Sequence, residues 1–266
     1  MTDAPESTAA VAERAAREGG AVANERFRGK GAVETKSGKT DYVTEADRLA
    51  QRRVVDVVSA AYPEDAIVGE EEDVAKSVPE TGRAWVIDPI DGTHNFVRHL
   101  PLWTTSVAAV ADGEPLAACN YLPPFDAAYV AGDGETTRNG TSVSVSDTAD
   151  PEACTVAPTF YWGRDARDEY AAAARAIVER FGDMRRLGSI QVSLALLAEG
   201  ALDGVVTNLT PNPWDSIAGV HLVRRAGGTV TDVHGEPWRL DSEGLVASNG
   251  RVHDEVLDAA REIGDG

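Results

Sequence analysis

Sulfur is scarce in this chain: its 266 residues include two cysteines, Cys119 and Cys154, and two methionines. No C-x-x-C pair exists, which excludes a dithiol redox motif and a cysteine-rich zinc site. Two thiols beside small and apolar neighbours read as buried, reduced residues of a cytoplasmic protein. Long apolar runs are missing too. No stretch reaches the roughly 18 apolar residues of a membrane helix. The opening Met1-Thr2-Asp3-Ala4-Pro5-Glu6 lacks the basic and apolar regions of a secretory signal. Lysine is nearly absent: Lys30, Lys36, Lys39 and Lys76 are the only four, against 21 arginines. With 44 Asp and Glu against 25 Lys and Arg, the formal net charge is −19. That sum repels a phosphate backbone and an anionic lipid surface, so neither nucleic acid nor membrane is expected as a partner. An acid-rich, lysine-poor composition suits a halophilic cytoplasm, where a Debye length of about 3 Å at 1 M salt screens self-repulsion.

Several catalytic signatures are also missing. The five histidines, His94, His99, His221, His234 and His253, never fall in an H-E-x-x-H spacing. No G-x-S-x-G presents a serine nucleophile, and no G-x-x-x-x-G-K-S/T cradles a nucleotide. Gly132-Asp133-Gly134 lacks the rest of a dinucleotide fingerprint and reads as a turn.

What is present is a well-patterned globular chain, 42% hydrophobic and 26% charged, long enough for about two units. Residues 7–28 carry Ala and Val at helical spacing. Thr44-Glu45-Ala46-Asp47 has the form of a helix start, and Tyr62-Pro63 closes that helix. Ala66-Ile67-Val68 and Ala84-Trp85-Val86-Ile87 read as short buried strands. Thr104–Ala111, Ala117–Tyr121 and Tyr129–Ala131 follow as strands, with a hairpin at Asn139-Gly140. The second half alternates strands near residues 154–156, 202–207, 229–233 and 245–247 with helices over 168–181, 190–199, 213–225 and from 253. Strands alternating with helices in both halves predict an α/β or α+β layered architecture. The polar stretch 147–152 marks a boundary between an N-terminal α+β subdomain, 1–147, and a C-terminal α/β subdomain, 148–266.

The chemistry concentrates in carboxylates at strand ends. Asp88-Pro89-Ile90-Asp91-Gly92-Thr93 runs an apolar strand straight into two acids three positions apart. Pro89 is expected to turn the chain, so that both carboxylates and the Ile90 carbonyl face one point. Hard divalent cations bind such oxygen sets. A helix starting near Thr93 would add N–H groups for an anion. Glu70-Glu71 also follows a short strand, though it reads equally as a solvated acidic turn. Asp215, after Trp214, reads alone as a helix N-cap, and Thr44 and Asp47 read alone as a capping box.

Together these residues resemble the inositol monophosphatase superfamily of metal-dependent phosphatases. The motifs are Asp41-Tyr42-Val43-Thr44-Glu45-Ala46-Asp47, Gly69-Glu70-Glu71, Trp85 through Phe96, and Pro213-Trp214-Asp215-Ser216-Ile217-Ala218-Gly219 with Ala226-Gly227-Gly228. Gly188-Ser189 and Ala247-Ser248-Asn249-Gly250 fall in matching places, so the resemblance spans nearly the whole chain. It implies a layered α/β/α/β/α sandwich of the sugar-phosphatase type, and a homodimer. It implies two to three Mg²⁺ ions held by Glu70, Asp88, the Ile90 carbonyl, Asp91 and Asp215, with Glu71 assisting through water. It implies that Thr93, paired with Asp47, orients the attacking water, that Gly92 and Thr93 receive the phosphate through their backbone N–H groups, and that Lys36 lies near the ions. Ser189 and Asn208 fall where substrate hydroxyls are contacted.

The resemblance further implies a phosphoric monoester hydrolase of carbohydrate metabolism, acting by attack of a metal-activated water. Archaeal members of the superfamily hydrolyse inositol monophosphate and fructose 1,6-bisphosphate, which is the activity expected here. Asn208 and Ala201 stand where many inositol phosphatases have Glu and Arg, so strict inositol selectivity is not expected. The alternatives are a 3′-phosphoadenosine 5′-phosphate phosphatase, disfavoured by His94-Asn95 after Asp91-Gly92-Thr93, and a non-catalytic Mg²⁺- or polyol-phosphate-binding protein.

The charge reading carries its own test. The melting temperature is expected to rise from low salt to molar KCl, measured by circular dichroism; greater stability at low salt would remove the halophilic reading.

Overall fold

Strand β4, Arg83–Asp91, shows how the layers arise. Successive side chains of a strand point to opposite faces. Trp85 and Ile87 enter one apolar cluster with Val107 and Ala109, whereas Ala84 and Val86 enter another with Ala108 and Val110. Both faces of this strand are therefore buried, and helices cover each. The computed structural model describes residues 6–29, 33–35, 42–71, 74–159 and 162–264. Lys36, expected near the site, lies outside them.

Helix α1 (Thr8–Asn24) is capped by Ser7, whose hydroxyl accepts from the Ala10 N–H. A two-stranded antiparallel ribbon, β1 (Val33–Thr35) and β2 (Tyr42–Thr44), leads into α2 (Glu45–Ala61). The larger sheet has seven strands in the order β3-β4-β5-β6-β7-β8-β9. They are β3 (Ala66–Gly69), β4, β5 (Thr104–Ala111), β6 (Glu114–Leu122), β7 (Ala127–Ala131), β8 (Thr137–Arg138) and β9 (Thr141–Ser142). The short helix α3 (Thr93–Val97) follows β4. Asn139 and Gly140 both have positive φ, 47° and 80°, as the tight β8–β9 hairpin demands.

The smaller sheet has five strands, ordered β11-β10-β12-β14-β13. They are β10 (Thr155–Pro158), β11 (Asp183–Met184), β12 (Gly204–Thr207), β13 (Thr229–Thr231) and β14 (Leu245–Ser248). Helices α4 (Arg167–Arg180), α5 (Ile190–Ala198), α6 (Pro213–Arg225) and α7 (His253–Gly264) complete the α-helices among the described residues. Helices α1 and α2 pack on one face of the larger sheet, and α5 and α6 on the other. The α5–α6 layer also covers the smaller sheet, whose far face carries α4 and α7. In β14, Leu245 and Ala247 join the cluster under α5 and α6, while Val246 joins that under α7. This is the layered α/β/α/β/α arrangement.

Two local expectations are corrected. The first half does not alternate strands with helices beyond residue 97; it is an antiparallel meander from β4 to β9. Tight turns such as Asp112-Gly113 suffice for antiparallel neighbours, whereas parallel ones need a crossover. Pro89 does not turn the chain either. Strand β4 continues to Asp91, and its register shifts between Asp88 and Asp91. Proline cannot donate to a ladder, so it sits at that irregularity.

Cys119 and Cys154 are free and buried. Among the described residues, no helix is long and apolar enough to cross a membrane. The α1–α2 contact depends on Gly19, where an added Cβ would lie 2.4 Å from Val54 Cγ2 and 3.2 Å from the Ala50 carbonyl. Gly19→Val is expected to destabilise the protein by about 1–3 kcal/mol through overpacking, read from urea denaturation; unchanged stability would show that the helices separate freely.

Candidate active site

Strands β3 and β4 run parallel, with Gly69 opposite Ile87. Their carboxyl ends therefore deliver Glu70-Glu71 and Asp88 side by side, and the Glu70 N–H donates to the Ile87 carbonyl at 3.3 Å. Such strand ends open a crevice in layered α/β proteins. Asp88 Oδ1 accepts from the Ile90 N–H at 3.0 Å, which folds the chain locally around the carboxylate. Asp91 then ends the strand.

The third acid comes from the other half of the chain. Asp215 is not the N-cap of α6 but stands three positions past it. Asn212 is the N-cap, and its N–H and side-chain amide donate to Asp215 Oδ2 at 3.2 and 2.8 Å. One carboxylate oxygen from each of Asp88, Asp91 and Asp215 lies within 4.8 Å of the others. Residues 88, 91 and 215 are thus brought together, two buried and one half-buried.

The electrostatics of this triad are unfavourable without a cation. Asp88 is held well above the usual carboxylate range, first by its removal from water and then by the charges of Glu70, Asp91, Asp215 and Asp47. Asp91 is raised to about 6, again chiefly by burial, against the opposing pull of its Ser189, Gln191 and Ile190 donors. Asp215 is raised to about 8 by loss of water and by the charges of Glu70 and Asp91, partly offset by its Asn212 bonds. Glu70 is not among the three converging acids, yet its charge acts on all of them. Close, buried oxygens that resist ionisation together are a donor set matched to a hard divalent ion.

Other expected residues take these places. Thr93 Oγ1 lies 3.0 Å from the Ile90 carbonyl and 3.4 Å from Asp47 Oδ1, so its proton faces two acceptors. Asp47 is 1% exposed, in the first turn of α2. Gly92 has φ +97°, and a Cβ there would meet the Leu102 carbonyl at 3.0 Å and Ser189 Cβ at 3.1 Å. Glu71 is buried, and its N–H donates to Gln51 Oε1 at 3.0 Å. Ser189 caps α5 by accepting from the Val192 N–H at 3.0 Å, and its hydroxyl donates to Asp91 Oδ2. The structure therefore sets Ser189, read as a substrate contact, against a carboxylate of the triad. Asn208, the other expected substrate contact, accepts from Trp162 Nε1 at 2.9 Å and donates to Glu169 Oε2 at 2.6 Å.

Gln191, not singled out from the sequence, and Asn95, read only as part of the signature, also shape the site. The Gln191 N–H donates to Asp91 Oδ2 at 2.6 Å. Asn95 Nδ2 donates to the carbonyls of Leu102 and Leu187 at 2.6 and 2.8 Å, tying α3 to the loop before α5. A polar glutamine in the apolar run Ile190-Gln191-Val192-Ser193-Leu194 was the available signal for the first.

A layered α/β protein with an acid triad joining its two halves is the class that fold and site define. The model of the inositol monophosphatase family matches residues 4–265, and the chain belongs to that family. It is 36% identical over 233 residues to the fructose-1,6-bisphosphatase/inositol-1-monophosphatase of Thermotoga maritima, covering 87% of each chain. It is 31% identical over 255 residues to the Nus factor SuhB of Escherichia coli strain K12, covering 95% of each. The solved structure of Thermotoga maritima IMPase matches with a TM-score of 0.86 at 34% identity, over 95% of this chain and 96% of that one.

The raised carboxyls fix a pH dependence. Without metal, folded Asp91 and Asp215 keep protons that the unfolded chain has already released above its ordinary value of 3.8. Unfolding then releases protons, so stability falls as pH rises from about 4 through 8. The melting temperature in chelator is expected to drop across that window, and a saturating divalent cation should abolish most of the drop; a flat profile in chelator would contradict the assigned protonation.

Proposed function

We propose that this chain is a Mg²⁺-dependent phosphomonoesterase that hydrolyses inositol 1-phosphate and fructose 1,6-bisphosphate. The convergence of Asp88, Asp91 and Asp215 carries this reading. Glu70, Asp88, Asp91 and Asp215, with the Ile90 carbonyl, would hold the ions, and Glu71 would assist. Bound Mg²⁺ would reverse the local negative field and act as a Lewis acid toward the phosphoryl oxygens and the leaving group.

The chain's own groups supply positioning. Thr93 donates toward Asp47 and its lone pairs accept a hydrogen bond from a water; as the water's proton moves to Thr93 Oγ1, the hydroxyl's own proton passes to the buried Asp47 carboxylate. Backbone N–H groups of Gly92 and Thr93, at the start of α3, face the phosphate; glycine at 92 allows the φ of +97° there, where a Cβ would crowd the Leu102 carbonyl and Ser189 Cβ. The half of the chain up to residue 147 would contribute Asp88 and Asp91, and the remainder Asp215. Sugar breadth follows from Asn208, which is uncharged and already paired with Trp162 and Glu169. The name of the Thermotoga maritima relative, which joins both substrates, supports the dual assignment.

Phosphate release is to be measured in molar KCl with Mg²⁺ on inositol 1-phosphate, fructose 1,6-bisphosphate and 3′-phosphoadenosine 5′-phosphate in parallel. The first two are expected to be turned over. Preference for the third would replace the substrate class, and no release from any monoester would leave a binding protein. Asp91→Asn is expected to keep the circular dichroism of the fold and to lower turnover by roughly a hundredfold or more; near-normal turnover would refute the site.

A further inference from the structure

Asp215 is the one member of the triad that comes from the second half of the chain, and the residue before it is gripped from two directions. From the Glu70-Glu71 side, Lys76 Nζ donates to the carbonyls of Gly69 and Glu70 at 2.9 Å each and of Glu71 at 2.5 Å. The same ammonium lies 5.6 Å from the centroid of the Trp214 ring, within cation–π range. From the Asp91 side, Gln191 Nε2 donates to the Trp214 carbonyl at 2.8 Å. Gln191 Oε1 accepts from the Gly219 N–H at 2.8 Å and from Asn120 Nδ2 at 2.9 Å. The backbone N–H of Gln191 reaches Asp91 itself, and the residue is fully buried.

We propose that Lys76 and Gln191 are positioning residues that clamp Trp214, and through it hold Asp215 against Asp91 and the Glu70-Glu71 turn before any cation arrives. This rests on reading the triad as a divalent-cation site. Acids this close repel once ionised, as cation binding requires, and would spread if their backbones were free to move. A site held in its binding geometry avoids the ordering cost that association otherwise carries. The lysine suits this place in a chain whose other basic residues are almost all arginine. An ammonium offers three N–H donors around one centre, which fits three carbonyls of one turn. The planar guanidinium fork does not.

The two roles open to Lys76 have opposite signs. If it acts only as a positive charge near the acids, removing it leaves the site more negative and tightens cation binding. If it positions, removing it loosens binding. Lys76 is exposed, so its replacement spares the core.

Mg²⁺ affinity is to be measured by isothermal titration calorimetry in molar KCl on the full chain. Lys76→Met and Gln191→Met are each expected to raise the Kd severalfold or more. Melting temperatures in chelator establish that each variant is folded. Lys76→Arg keeps the charge but not the three-carbonyl fit, and is expected to weaken binding in the same direction; it also decides the matter if Lys76→Met does not fold. An unchanged or lower Kd in folded Lys76→Met, or wild-type affinity in Lys76→Arg, overturns the proposal while leaving the cation site standing. Absence of Mg²⁺ binding by the unaltered chain overturns both.

Discussion

The structure is organised around one electrostatic constraint: three carboxylates from distant positions meet within 4.8 Å, two of them buried. Each costs free energy to ionise there, because water is excluded and the neighbours carry the same charge. Much of the surrounding detail answers that cost. Ser189, Gln191 and Asn212 direct hydrogen bonds at Asp91 and Asp215. These contacts hold the acids in place without neutralising them, which leaves the charge for a cation to balance.

The layering makes this meeting possible. The parallel β3–β4 pair brings two acidic segments to one edge, and the central α5–α6 layer is shared by both sheets. Helix α6 starts at that edge, so its first turn carries Asp215 to the ends of β3 and β4. The same central layer supplies Ser189 and Gln191 from α5. Site and core are therefore not separable here: the apolar faces of α5 and α6 that fill the cluster between the sheets also fix where the acids stand. Membership of the inositol monophosphatase family agrees with this construction across residues 4–265.

How much was legible in the amino-acid order differs by residue. Strand β5 and helix α6 were readable to the residue, because apolar runs, Pro213 at a helix start and glycines after its end are local signals. The tail of β4 was not. Pro89 locally signals a turn, yet pairing with β5 keeps the segment extended through a register shift. Asp215 read alone as a cap, because the Asn212 bonds that place it three positions into the helix are visible only in three dimensions. Ser189 and Asn208 were read by resemblance as substrate contacts; the partners they have in the structure, Asp91 for one and Trp162 with Glu169 for the other, lie at least 39 positions away.

Composition and local pattern alone determined the net acidic charge, most of the helices and longer strands, and the pair Asp88 and Asp91 as acids that could bind a cation, while Asp215 joined that pair only by resemblance. Those properties depend on side-chain type and on periodicities spanning a few residues. Only the tertiary structure decided which acids face one another, which hydroxyl and amide groups restrain them, and that Lys76 and Gln191 grip Trp214 from opposite sides. Such contacts join residues dozens of positions apart, and their geometry follows from sheet register and helix packing, which no short stretch of chain encodes.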